Sequence, residues 1–358
     1  MAAAPTPWWT WAWPALAWAV LLVATFLGGG GLIVALAGAI LIATVFAAVH
    51  HAEVIAERVG EPFGTLVLAL AVTIIETALI VSVMISAPAA SAALARDTVF
   101  AAVMIVCNGI VGLCLLMGGA RHHEQGFQIQ GANAALAVLV ALISLALILP
   151  SYVAPELGPL YSPPQLVFAG LVALVLYGSF VFVQTGRHRD YFLPLDTGDE
   201  AAHAPPTNLV AVLSTGLLLV SLVAIVGLAK LLTPIVELGV AELGVPKAVV
   251  GVIIALLVLM PEALAAVRAA LHNRLQTSLN LALGSALATI GLTIPAVAAV
   301  SIALGQPLAL GLEAKDQAML AVTLLLGVIT LGTGRTTVLQ GVVHMVMFAA
   351  FLFFAVVP

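Results

Sequence analysis

Glu76 and Glu262 are carboxylates placed where water is scarce. Glu76 lies in the middle of GTLVLALAVTIIETALIVSVMISA, residues 64–87, and Glu262 in the middle of VVGVIIALLVLMPEALAAVRAAL, residues 249–271. Each run is roughly long enough to cross a bilayer as one helix. An ionised acid at the centre of such a helix costs about 2.5–3.5 kcal/mol on insertion scales. A proton or a bound cation removes most of that cost, and two carboxylates that share a site take up their protons as a coupled pair. Competition between protons and a cation for the same oxygens is all that antiport requires. The double negative charge of the pair balances one Ca²⁺ or two protons. Ca²⁺ takes about 6–8 oxygen ligands, and charge alone equally admits Na⁺ or K⁺. The alternative is a purely structural pair, satisfied by hydrogen bonds between helices.

Other oxygens stand close by in sequence. Thr73 and Thr77 flank Glu76 within about a helical turn. The following apolar run of each half adds more: Asn108 in VCNGIVG, then Asn280, Ser285, Thr289 and Thr293 in TSLNLALGSALATIGLTIP. Gly109, Gly112, Gly284 and Gly291 allow these helices to approach closely. Pro261, just before Glu262, has no amide hydrogen and frees a carbonyl in the helix behind it.

The rest of the chain supplies the solvent that this chemistry needs. Its 358 residues are 63% hydrophobic and 8% charged, with a mean hydropathy of +1.23. A soluble domain is typically about 25% charged, so lipid must cover much of this surface. The net charge of −5 is spread over loops, and no basic patch points to nucleic acid. Cys107 and Cys114 are seven residues apart in one run, about 10 Å along a helix, too far for a disulfide; they are read as packing residues. No GxxxxGK[ST] suggests nucleotide binding, and no convergent nucleophile or metal motif suggests an enzyme. No cofactor is expected beyond the transported cation and H⁺.

Eleven apolar runs read as membrane helices: roughly 10–27, 31–49, 64–87, 98–119, 132–149, 165–185, 207–229, 248–271, 278–304, 317–332 and 336–356. The runs are unbroken rather than alternating, which predicts an all-α polytopic protein and argues against a barrel. The N-terminus has no basic region before its apolar stretch, and Trp8, Trp9, Trp11 and Trp13 read as an interfacial aromatic belt, so residues 1–30 are taken as an extra first helix rather than a cleaved signal. Arg58, Arg121, Arg187, Arg189, Arg268, Arg274 and Arg335 fall on the side of the N-terminus, against Arg96, Lys230, Lys247 and Lys315 opposite. That bias places the N-terminus in the cytoplasm and the C-terminus outside a bacterial inner membrane. Seven of the eight histidines fall on the same inferred cytoplasmic side, where they read as interfacial polar residues with a pH sensor as the alternative. His344 alone lies within a span and reads as a satisfied packing residue.

The polar stretch TGRHRDYFLPLDTGDEAAHAPPTN, residues 185–208, divides the remaining helices into a first set of five, 31–185, and a second, 207–358, with 186–206 as a cytoplasmic linker. Five is odd, so the second set starts from the opposite face. That is the layout of an inverted repeat, whose substrate site lies near the midplane where the repeats meet. It also predicts a partner for Glu76 in the second helix of the second set, where Glu262 stands.

At these residues the chain resembles a known family. HAEVIAERVGEPFGTLVLALAVTIIETALIVSVM, residues 51–84, and PEALAAVRAALHNRLQTSLNLALGSALATIGLTIPAVA, residues 261–298, look like the two repeats of the calcium/proton exchangers in the calcium/cation antiporter superfamily, in its bacterial ChaA-type branch. The resemblance covers most of the chain. It implies an extra first helix followed by two inverted five-helix halves, and export of Ca²⁺, or Na⁺ and K⁺, against entering protons by alternating access. Each family repeat has a Gly-Asn-x-x-Glu motif whose Glu binds the cation and the proton; Glu76 and Glu262 stand at those positions. The family's Gly-Ser pair on the next helix is matched by Gly284 and Ser285, and by Cys107 and Asn108 in the first half. The Gly-Asn itself is replaced by Val72-Thr73 and Val258-Leu259. The expected cation and proton ligands are therefore Glu76, Glu262, Asn108, Ser285 and Thr73. Glu53, Glu57 and Glu61 form an i, i+4, i+8 stripe that could gather cations at the cytoplasmic mouth, or be a solvated face. A Na⁺(K⁺)/H⁺ antiporter with little Ca²⁺ transport is the runner-up, and a cation channel ranks below it.

Overall fold

The apolar runs have no polar stripe, and in lipid a backbone without water must bond to itself. Helices follow. The computed structural model describes residues 7–27, 31–60, 63–86, 92–153, 156, 158–194 and 205–357. Among them eleven helical runs alternate across the molecule: α1 Trp9–Leu27, α2 Gly31–Val59 and α3 Phe63–Ser86; α4 Leu94–His122, α5 Ile129–Ser151 and α6 Pro163–Arg187; α7 Asn208–Glu242 and α8 Ala248–Leu271; α9 Leu275–Leu304; and α10 Ala314–Leu331 and α11 Val338–Val356. Ten are long and apolar enough to span a bilayer; α3 has the shorter apolar stretch Ala69–Ile85.

Local chemistry sets several ends. Ser162 with Gln165 and Thr337 with Gln340 close capping boxes at the starts of α6 and α11. Gly305, at φ 63°, ends α9 in the left-handed conformation. Two helices run further than the hydropathy predicts. α2 carries on through His50–Arg58, and α7 passes Lys230 and Pro234 to reach 35 residues. At 1.5 Å per residue α7 is about 52 Å long, well beyond a ~30 Å hydrocarbon core. Lys230 is thus an exposed side chain on a helix and not a loop charge, with a stem long enough to carry its ammonium toward the headgroups.

The loops sort onto two faces. On the face of the N-terminus, β1 Glu124–Gly126 pairs antiparallel with β2 Arg335–Thr337, joining the α4–α5 and α10–α11 loops. The same face holds His122 against the Leu271 carbonyl at 2.9 Å, Gln125 Nε2 donating to the Ala270 carbonyl at 2.8 Å, and Arg58 donating to Asn208. On the opposite face Leu160 bridges Ala309, Ala309 N donates to the Ala92 carbonyl at 2.9 Å, and Arg96 donates to the Gly311 carbonyl at 3.1 Å.

Packing divides the apolar side chains into two main clusters. One joins α1, α2 and α7; the other joins α4, α5, α6, α9, α10 and α11. α3 and α8 belong to both: Val72, Ile75 and Val258 pack into the first, Ile80, Met84 and Leu259 into the second. α4 is the most enclosed of the ten spans, with 89% of its 18-residue apolar stretch buried. Small residues let its neighbours in, because helices in lipid associate mainly through close packing. A Cβ on Gly341 of α11 would lie 2.4 Å from the Leu116 nitrogen of α4, and one on Gly112 would lie 2.9 Å from His344 Cβ.

Candidate functional site

Glu76 and Glu262 sit on the two helices that form the seam between the clusters. Both side chains are buried, 2% and 3% exposed, and close enough for their charges to interact. Glu76 Oε2 accepts a 2.8 Å hydrogen bond from the Thr289 hydroxyl of α9. Glu262 Oε1 accepts one from the Ser285 hydroxyl at 3.1 Å. Ser285 and Thr289 are four residues apart, so one face of α9 serves both carboxylates. A turn further, Thr293 shares a 3.1 Å hydrogen bond with Thr77 of α3. Thr289–Thr293 is a π-helical segment, a widening of the helix that recurs at functional sites.

The other oxygen of each carboxylate, Glu76 Oε1 and Glu262 Oε2, is buried and has no hydrogen-bond partner among the described residues. A buried polar atom left unpaired is expensive, and a carboxylate oxygen in that position has an obvious use for a proton or a cation. Glu262 also lines a cavity of about 20 Å³, enough for one water.

The five expected ligands do not all converge. Glu76, Glu262 and Ser285 do, together with Thr289. Thr73 is buried beside them but its hydroxyl donates to the Ala69 carbonyl of its own helix at 2.8 Å. Asn108 turns away from the glutamates. Its Nδ2 donates to Thr323 Oγ1 at 2.9 Å and its Oδ1 pairs with His344 Nδ1 at 3.2 Å, while His344 Nε2 meets Thr330 Oγ1 at 3.0 Å. This is a buried polar bolt joining α4, α10 and α11, and it satisfies His344 through polar partners as well as packing. Asn108 lies in a second π-helical segment, Ile105–Ile110. Cys107 and Cys114 are free and buried. Of the acidic stripe, Glu53 is half-buried within electrostatic reach of Arg268, Glu57 is exposed, and Glu61 lies outside the described residues. Of the linker acids, Asp196, Asp199 and Glu200 also lie outside them.

Among the described residues, ten helical runs able to span a bilayer and an eleventh, shorter one enclose buried carboxylates at an internal seam, the architecture of a secondary transporter. The chain belongs to the sodium/calcium exchanger protein family, whose model matches residues 29–186 and 213–357. It is 54% identical over 321 residues to "Putative ionic transporter y4hA" of Sinorhizobium fredii (strain NBRC 101917 / NGR234), covering 89% of this chain and 87% of that one. It is 34% identical over 316 residues to the sodium-potassium/proton antiporter ChaA of Escherichia coli (strain K12), covering 87% and 85%. The solved structure of native YfkE shares the fold, with a TM-score of 0.76 over 98% of this chain and all of that one, at 15% identity. The resemblance to the calcium/cation antiporters therefore holds at the level of the family: this is an antiporter of that superfamily, a multi-pass membrane protein and not an enzyme.

Proposed function

We propose that the chain exchanges cytoplasmic cations for entering protons, with Glu76 and Glu262 as the groups that hold cation and proton in turn. One observation carries this: two buried carboxylates face a common seam, each with one oxygen held by an α9 hydroxyl and the other without a partner. Two charges there stay buried at tolerable cost only when neutralised. Cation binding therefore displaces protons, and protons displace the cation. The seam position suits alternating access, because small sliding of one packed cluster past the other would expose the pair to one face at a time. The two family matches, split at the linker, support two five-helix halves of opposite orientation.

For the cation, similarity to the sodium-potassium/proton antiporter of Escherichia coli supports Na⁺ or K⁺. The side-chain oxygens near the pair are two carboxylates and the hydroxyls of Thr77, Ser285, Thr289 and Thr293, with Asn108 and Thr73 bonded elsewhere. With both oxygens of each carboxylate counted, that is at most eight, within the range of about 6–8 that Ca²⁺ gathers, so the donors by themselves admit Ca²⁺ as well as Na⁺ or K⁺. Ca²⁺ is the alternative, with backbone carbonyls and water completing its shell. The arginine bias supports a cytoplasmic N-terminal face in a bacterial inner membrane.

Everted vesicles test the whole reading. After acidification of the lumen, Na⁺, K⁺ or Ca²⁺ is added singly and lumenal pH followed. One or more cations should collapse the gradient in wild type, and Glu76→Gln and Glu262→Gln should each abolish the response. A wild-type gradient insensitive to all three cations, or glutamine variants that respond normally, would overturn it.

A further inference from the structure

The cavity beside Glu262 does not end there. Gln184, Asn280, Gly284 and Phe180 line it and also line a second small cavity of about 10 Å³, nearer the N-terminal face, whose wall includes Gln276 and Phe192. A string of amide side chains thus leads from Glu262 toward that face through an otherwise apolar core. Polar side chains buried along a line through a membrane protein suit a route for ions or water.

Phe192 closes the outer end. It belongs to a short 3₁₀ turn, Arg189–Phe192, in the segment that joins the two halves. Arg189, Asp190 and Tyr191 are exposed, but Phe192 is only 6% exposed. Its ring stands edge-on to Phe180 of α6, with centroids 5.6 Å apart. Its carbonyl accepts a 2.6 Å hydrogen bond from Asn280 Nδ2. Asn280 Oδ1 accepts in turn from Gln276 Nε2 at 2.9 Å, and Gln276 Oε1 accepts from the Gln128 backbone N–H, at the start of α5, at 2.7 Å. The turn is seated on α5 as well: a Cβ on Gly131 would lie 2.2 Å from the Tyr191 carbonyl, so only glycine fits there.

We infer that Phe192 is the gate of the N-terminal-face route to Glu262, and that Asn280 is its latch. A loop residue that buries an aromatic ring at the end of a polar path, and is held there by a side chain from the path itself, acts as a plug. The latch is on α9, five residues before Ser285, so the helix that holds the Glu262 carboxylate also holds the gate. Movement of α9 on cation or proton exchange would therefore loosen the plug. The segment linking the two halves thereby becomes a working part of the transporter. This rests on Glu262 being an exchange site, but its test does not need transport.

Gly284 offers a reporter, because a Cβ there meets nothing within 4 Å and the position lines both cavities. The full-length Gly284→Cys protein is prepared in everted and right-side-out vesicles and treated with a small, charged, membrane-impermeant methanethiosulfonate. Protein without the substitution corrects for the buried Cys107 and Cys114. Adding Phe192→Ala should raise the modification rate at least tenfold from the N-terminal face and leave it unchanged from the other. Asn280→Ala should raise it from the same face, and Phe192→Leu, a milder change that keeps the turn apolar, should give an intermediate rate. An unchanged rate in all three, or a rise of equal size from both faces, overturns the gate. If the rates behave as expected while Glu262→Gln still exchanges cations normally, the gate stands and the exchange role of Glu262 falls.

Discussion

At the scale of single residues, the glutamates differ from the polar groups around them in what they leave unpaired. Ser285 and Thr289 each satisfy one carboxylate oxygen, and a hydrogen bond to a charged group is worth about 1.5–3 kcal/mol. Thr289→Val should therefore lower exchange by about 10–150-fold, with Thr289→Ser restoring most of it; flux in vesicles checks both. Asn108→Ala is expected to behave in the opposite manner. It strands Thr323 and His344 in the core, at a cost of about 1–3 kcal/mol, so purified protein should melt several degrees earlier while the apparent cation affinity holds. A large affinity change with unaltered melting would return Asn108 to the ion site. Much of this site is legible in the sequence, since a carboxylate in a long apolar run declares itself. Asn108 misleads because a polar residue on a helix buried all round can find a partner in any direction, and its facing is decided by tertiary packing. Thr289, one turn beyond Ser285 on the same face, is legible as one of the neighbouring oxygens, though not as the particular partner of Glu76.

At the scale of elements, close approach replaces the hydrophobic effect as the organising force. Gly341→Val would push a branched side chain into the backbone of α4 at Leu116, and overpacking of that kind costs about 1–3 kcal/mol. Less folded protein should elute as a single species in fluorescence-detected size-exclusion chromatography. Gly284→Ala, with open space around it, should elute as wild type. Helix number and order follow directly from the apolar runs. Helix ends do not: hydropathy sees the polar His50–Arg58 stretch and Lys230 as stops, but backbone hydrogen bonding continues through both, because a charged or aromatic side chain near an interface can reach polar surroundings without ending its helix. The π segments and the gate turn are equally hidden, being products of how neighbours pack.

At the scale of the whole molecule, strand pairing and side-chain bonds gather the odd-numbered loops' ends onto one face and the others onto the second. With the N-terminal face cytoplasmic, cysteines at Tyr152, on the far face, should label with an impermeant maleimide in intact cells, and cysteines at Glu124 only after lysis. The reverse pattern would turn the molecule over and with it the direction of export. The alternation itself is readable from the succession of apolar runs; that β1 and β2 meet is not, since nothing in three-residue stretches separated by about two hundred residues announces a pairing. The enclosure of α4 has a further consequence, for biosynthesis. α4 leaves the ribosome early, yet α8, α9 and α11, against which it packs, are made later, and α11 last of all. Until then its glycine face and Asn108 must wait in the translocon, against lipid or beside an insertase. A nascent chain truncated before residue 338 should thus be recognised as unfinished and degraded.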